Sequence, residues 1–397
     1  VNSGFGNDSA APFHVLSLLL HLLNAALVFG VGKRLLLKDS LAFLLSLLFA
    51  LHPLAVEAVC WISATSILLF TSFFLAALLA YDQFLVGGDR RHYLGALGLF
   101  ALGCFAKVQM LPFIGVMFLL DAWRGPQLID RQRLIQKVPF FAISAAFVAV
   151  SLHFRGGQSA FTGDYNALIL VPVQFMWYAV KALFPWKLGI VYDWPSDPWT
   201  VLTLGAWAGM GAMGWALYRL RKNKLLVFGI LFFAGNLLLH TTLVTSYLGP
   251  YADRYGYVSL LGFWIALLSC GHRMHPTLIK GASGLVAVAL AGLAYAQTQY
   301  WRSTIDLWTH NLSHESATFS NGMRGALYYE RGQFAQAKQD FEQVDRTPDP
   351  RFEPEKYHYL YTALGVMTTD SEPKKSLHYF KKAAEWKPHS ESFENVA

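Results

Sequence analysis

Charge is scarce in this sequence: Asp, Glu, Lys and Arg make up 14% of its 397 residues, where a soluble globular domain carries about a quarter. Cysteine is rarer still. Cys60, Cys104 and Cys270 stand alone in or beside apolar stretches, which excludes a disulfide framework and leaves them as small packing residues. No Cys/His cluster has metal-ligand spacing, and no glycine-rich loop is built to cradle phosphates. A soluble nucleotide-sugar domain and a metal centre are therefore not expected. A basic n-region and a signal-peptide pattern are also missing. The chain opens on Val1 and a polar stretch, Asn2 to Ser9, so one further span and an outer loop are expected upstream.

What abounds is apolar surface. Hydrophobic residues make up 54% of the chain, and charge avoids stretches such as 15–32 and 281–298, each close to the ~20 residues a transmembrane helix needs. Trp61, Tyr81, Trp123, Trp199 and Trp301 fall near segment ends, as interfacial belts require. The apolar runs predict ten spans, near 12–32, 39–52, 63–82, 92–106, 108–123, 136–154, 198–219, 225–243, 255–271 and 281–299. Residues 167–188 are set aside as a re-entrant or interfacial helix ending at Pro185. A spanning reading of that stretch would put Arg219, Arg221, Lys222 and Lys224 on the wrong side.

The net charge of +7 would point to nucleic acid in a soluble protein. Here the excess sits in short linkers, at 33–38, 90–91, 124–137, 219–224 and 272–280, so topology explains it and no nucleic-acid partner is expected. These linkers alternate with basic-poor turns. The positive-inside rule puts the basic set in the cytoplasm and both termini outside.

After about Trp301 the composition changes, with dense and balanced charge. Gly325, Tyr328, Gly332, Phe334, Ala337, Phe341 and Pro348 fall at tetratricopeptide helix-pair spacing. A weaker copy runs through Leu364, Gly365, Ser376, Phe380, Ala383 and Pro388. The predicted organisation is all-α: a polytopic membrane helix bundle over 1–300, then a short repeat domain over 301–397. Such repeats either bind a protein partner or acceptor or act as a packing spacer.

Several segments, taken in order, resemble one family. They are Phe13 to Asn24 (FHVLSLLLHLLN), His52 to Ser63 (HPLAVEAVCWIS), Lys107 before a Leu-Pro-Phe run, Asp121, and Ala252 to Tyr257 (ADRYGY) ahead of Leu260–Leu261–Gly262. This order, with repeats after the last span, is similar to the transmembrane and tetratricopeptide-repeat (TMTC-type) glycosyltransferases. The resemblance implies a GT-C-like architecture that takes a sugar from a polyprenyl-phosphate donor, a lipid-linked sugar, and transfers it outside the cytoplasm without a further cofactor. It implies a bacterial inner membrane with periplasmic repeats, or an endoplasmic reticulum membrane with luminal ones. The chain departs from the family at Ala64–Thr65–Ser66, where members often carry charged residues. The family's catalytic acid lies in a first outer loop, where only Asp8 stands here.

Transfer from a phosphate-linked sugar needs a carboxylate for the acceptor proton and cations for the leaving phosphate. Glu57 and Asp8 are the expected catalytic carboxylates. Arg254, Lys107, Asp253, His52 and Asp193 are the expected substrate-binding residues. Each has a plainer reading. His52 and Glu57 can hold the helix break at Pro53, Lys107 can snorkel to the interface, and Asp253 with Arg254 can cap a helix. Asp193, Asp197 and Asp164 suit polar loops, and Asn236 and His240 suit interhelical hydrogen bonds. Asn7–Asp8–Ser9 and Asn311–Leu312–Ser313 are glycosylation-like tripeptides. The competing function is a non-catalytic membrane scaffold whose repeats recruit a partner into an envelope complex; a transporter is a distant third.

Overall fold

The computed structural model describes residues 10–36, 38–125, 130–154, 165–193, 200–241, 251–270, 276–313, 317–348 and 354–386. Among these every regular element is helical: α1 (Ala11–Leu36), α2 (Asp39–Ala50), α3 (Val56–Cys60), α4 (Thr65–Gly87), α5 (Arg90–Ala106), α6 (Phe113–Arg124), α7 (Arg131–Phe154), α8 (Tyr165–Leu183), α9 (Val201–Arg219), α10 (Lys224–Leu237), α11 (Gly256–Cys270), α12 (Pro276–Gln299), α13 (Thr304–Leu312), α14 (Ala317–Glu330), α15 (Phe334–Arg346), α16 (Pro354–Thr368) and α17 (Pro373–Trp386). They fall into two compact units. One holds 1–188, 195–246 and 250–299; the other holds 189–194, 247–249 and 300–397.

In the first unit, Ala11–Leu35, Ile62–Gly87, Arg131–Phe154 and Gly281–Gln299 are long and apolar enough to cross a membrane. A fifth joins them if α2 and the Pro53–Cys60 segment, bent by 55°, count together. The other helices that were expected to span do not reach this standard. α11 has 15 residues, about 22 Å at helical rise, against ~30 Å of hydrocarbon. α6 has only 12 residues, because a 3-10 turn at Val108–Met110 occupies the start of the expected 108–123 span. α8 runs through Pro172 and ends two residues before Pro185.

The first unit's interior is aromatic and packed around α4. Phe74 stands edge-on to Phe113 at 5.2 Å and to Phe232 at 5.9 Å, and Phe100 lies 5.2 Å from Phe140. Such tilted pairs add about 0.5–1.5 kcal/mol beyond burial. α10 and α11 approach backbone to backbone. A Cβ at Gly229 would stand 2.6 Å from the Gly262 carbonyl oxygen, and one at Gly262 would stand 2.6 Å from that of Gly229. Small residues permit this contact, which dispersion and close backbone packing stabilise in lipid.

The outside is equally apolar. Phe105, Phe154, Leu285 and Val288 are each more than two-thirds exposed, a surface too greasy for water but suited to acyl chains. Several buried polar groups find partners inside. His21 Nδ1 meets the Tyr257 hydroxyl at 2.7 Å and its Nε2 meets the Ala50 carbonyl at 3.0 Å. Ser72 donates to Asn24 Oδ1 at 2.7 Å, and Asn24 donates to the Leu68 carbonyl at 3.0 Å.

The second unit repeats one device. In the pair α14–α15 a Cβ on Gly325 would meet the Phe341 ring at 2.7 Å; in α16–α17 a Cβ on Gly365 would meet Phe380 at 2.7 Å. Gly332, at φ +72°, provides the left-handed residue that ends α14. Arg324 clasps Asp340 through two hydrogen bonds of 2.8 and 2.7 Å, and Lys382 reaches Asp345 at 2.6 Å. The expected boundary near residue 300 thus falls at 299/300, but residues 189–194 also belong to this unit. The Asn311 amide explains why. Its Oδ1 accepts the Ile190 N–H at 2.9 Å and its Nδ2 donates to the Val191 carbonyl at 3.1 Å.

Candidate functional site

The site begins at a break in a helix. α2 stops at Ala50, and His52 caps the 3-10 turn Pro53–Ala55, its Nδ1 accepting the Leu54 N–H at 3.2 Å. Pro53 has no N–H to lose at that position. His52 Nε2 donates to the Ala182 carbonyl at 3.0 Å, so both ring nitrogens are committed to backbone in a fully buried side chain. The sequence-based expectation made His52 a substrate ligand; its geometry is that of a pin holding α8 against the break.

The turn feeds into α3, which carries Glu57 at 2% exposure. Its Oε2 accepts the Arg254 main-chain N–H at 2.7 Å and its Oε1 accepts Arg254 Nη1 at 2.5 Å. Charge-assisted bonds of this kind are short and about twice as strong as neutral ones. Arg254 sits in the 3-10 turn Asp253–Tyr255 that leads into α11. Its guanidinium carbon lies 4.8 Å from the ring centres of both Trp61 and Tyr255, a double cation–π contact. Asp253 is buried in the same turn.

Lys107 joins them from a third region. It is the extended residue after α5, half-buried, and lies within Coulombic reach of Glu57 and Arg254. Among the described residues its ammonium makes no hydrogen bond or ion pair. Glu57 and Arg254 answer each other, and Lys107 is the cation beside them that no described side chain binds. A compact ammonium so placed can meet an anion.

Aromatic residues wall this region. His240 stacks on Tyr255 with ring centres 4.0 Å apart, and Trp177 stacks on Tyr251 at 4.7 Å. The Tyr178 hydroxyl donates to the Ala252 carbonyl at 3.0 Å and accepts the Ala252 N–H at 3.2 Å, which fixes the chain just before Asp253. From sequence His240 was read only as an interhelical hydrogen-bonding group, and Trp177, Tyr178 and Tyr251 were not singled out. Trp177–Tyr178 inside the set-aside segment 167–188, and Trp61 at the end of the His-Pro-x-x-x-Glu stretch, were the available signals.

Asp193 belongs to the second unit and is exposed. Asp8, Asp164 and Asp197 lie outside the described residues. Among the described residues no group of three or more His, Cys, Asp or Glu is placed to hold a metal.

No family model, curated protein or solved structure matches this chain.

Proposed function

We propose that this chain is a membrane glycosyltransferase of the GT-C type, taking a sugar from a polyprenyl-phosphate donor and passing it to a protein or glycan outside the cytoplasm. The observation that carries the reading is the cluster of Glu57, Lys107 and Arg254, drawn from three separated stretches. In this reading Lys107 binds the donor phosphate, as a compact ammonium suits a point anion. Arg254, held by Glu57, adds its remaining donors as charge builds on the leaving group. Asp253 shapes the turn that carries Arg254, and Asp8 takes the acceptor proton. The bundle crosses ten times with α8 re-entrant. The helix pairs α14–α15 and α16–α17 are tetratricopeptide repeats facing the outer side, the periplasm of a bacterial envelope or the lumen of an endoplasmic reticulum.

A specific observation favours the second reading, a non-catalytic scaffold whose repeats recruit a partner. Both oxygens of Glu57 are occupied by Arg254, so this carboxylate is not poised as a base. The deciding experiment supplies the purified full chain with radiolabelled sugar on a short polyprenyl phosphate and measures both transfer and binding. Binding and transfer that Lys107→Ala abolishes support the enzyme. Undiminished binding in Lys107→Ala removes Lys107 from the site, and no binding of any polyprenyl-phosphate sugar leaves the scaffold.

A further inference from the structure

A second cluster of charge lies on α1, α4, α6 and α7. Asp82, near the C-terminus of α4, is buried and receives Arg124 of α6 in a two-pronged bond, Nε to Oδ1 at 2.6 Å and Nη2 to Oδ2 at 2.7 Å. Arg34, at the end of α1, approaches the same carboxylate at 3.4 Å. One turn back on α6, Asp121 accepts the Tyr81 hydroxyl at 2.9 Å and pairs with Lys137, and Arg133 stands 3.6 Å away. Four cations therefore answer to two carboxylates. Lys137 is fully enclosed, but Arg34, Arg124 and Arg133 keep 36%, 26% and 28% of their side chains exposed.

Beside Arg34 and Asp82 lies a shallow apolar groove, the crevice between α1, α4 and α6, lined by Val31, Leu35, Leu79 and Leu120. We propose that this crevice and its arginines form a binding site for an anionic glycerophospholipid. The headgroup phosphate sits on Arg34 and Arg124, and the first methylenes of one acyl chain lie along the groove. The two features call for one ligand. A free phosphate would make no use of apolar walls, and a zwitterionic lipid would gain little from two guanidiniums around one carboxylate. Arginine suits the headgroup because a guanidinium keeps N–H donors for phosphate oxygens beyond those that Asp82 engages. Buried Asp82 serves as the fixed anchor that orients both guanidiniums. Basic pockets between membrane helices recognise anionic headgroups in this way.

The test reconstitutes the full chain in nanodiscs of phosphatidylcholine containing one-fifth phosphatidylglycerol, then counts retained lipids by native mass spectrometry. Phosphatidylglycerol should be retained well above its share. Arg34→Gln should lower that retention about fivefold, the worth of one interfacial cation. Leu79→Trp, which fills the crevice without changing charge, should lower it as well. Lys222→Gln, a charge change in another basic linker, should leave it unchanged. Equal retention of the two lipids by the wild-type chain overturns the proposal without recourse to any variant. Loss in Arg34→Gln but not in Leu79→Trp, with competition by inorganic phosphate, reassigns the site to a free anion and overturns the lipid.

Discussion

Glu57 binds Arg254 twice, accepting its main-chain N–H at 2.7 Å and its guanidinium at 2.5 Å across 197 residues of sequence. One carboxylate thus fixes both the position of the α11 turn and the direction of the arginine. Removing either partner leaves the other charged and buried, which costs about 3–5 kcal/mol. Arg254→Ala and Glu57→Gln should each lower the thermal midpoint in detergent sharply. The double variant Glu57→Gln/Arg254→Ala should lose less than the sum of the two single changes. Additive losses would mean that the two residues stabilise the fold independently.

Sidedness follows from the basic linkers. In a cysteine-free background, Lys222→Cys should be shielded from an impermeant thiol reagent applied outside intact cells, and a cysteine placed at Lys374 should react. Reaction at position 222 with protection at 374 would invert the topology.

At Gly325 and Gly365 the helix pairs leave no room for a methyl group. Gly365→Ala should destabilise the second unit by about 1–3 kcal/mol, the usual cost of overpacking, and Gly325→Ala should do the same. Limited proteolysis would read this as faster cleavage within 300–386, with the membrane unit intact.

Asn311 carries a glycosylation-like tripeptide but is 1% exposed, and its amide is committed to Ile190 and Val191. Peptide mapping from a glycosylating host should find Asn311 unmodified. Asn311→Leu should cost about 1–3 kcal/mol, since it strips partners from buried backbone groups.

Lys338 and Lys375 both hydrogen-bond Glu372, and this holds its carboxyl down to about 2, below the ordinary value near 4.3. A folded value below the unfolded one means the bridge stabilises fully above the unfolded value and is lost as pH falls through the folded one. The Glu372 side chain keeps 33% of its surface exposed, so salt should weaken the effect. Carbon-detected titration of Glu372 should show a low midpoint that Lys338→Gln raises.

Much of this molecule is legible along the chain. Scarce charge and long apolar runs give the helices, and a change in composition near Trp301 marks the second unit. Lys107, Glu57 and Arg254 stand out because an ionisable group amid apolar residues needs a reason. Other features were hidden. Hydropathy does not show that α6 is 12 residues long, because a 3-10 turn is as apolar as a helix. The plain look of residues 189–194 conceals their place with 300–397, since a side-chain amide, and no pattern of their own, holds them.

The sequence by itself determined that the chain is helical, that its surface suits lipid, and which few charges had to be answered within the bundle. Burial makes an unpaired charge costly, so the need for partners is written in one dimension. Which partner answers which charge was decided by tertiary structure. Arg254 goes to Glu57, Arg124 to Asp82 and Lys137 to Asp121, because helix crossings at close approaches such as Gly229 against Gly262 fix which ends meet, and a hydrogen bond reaches only about 3 Å.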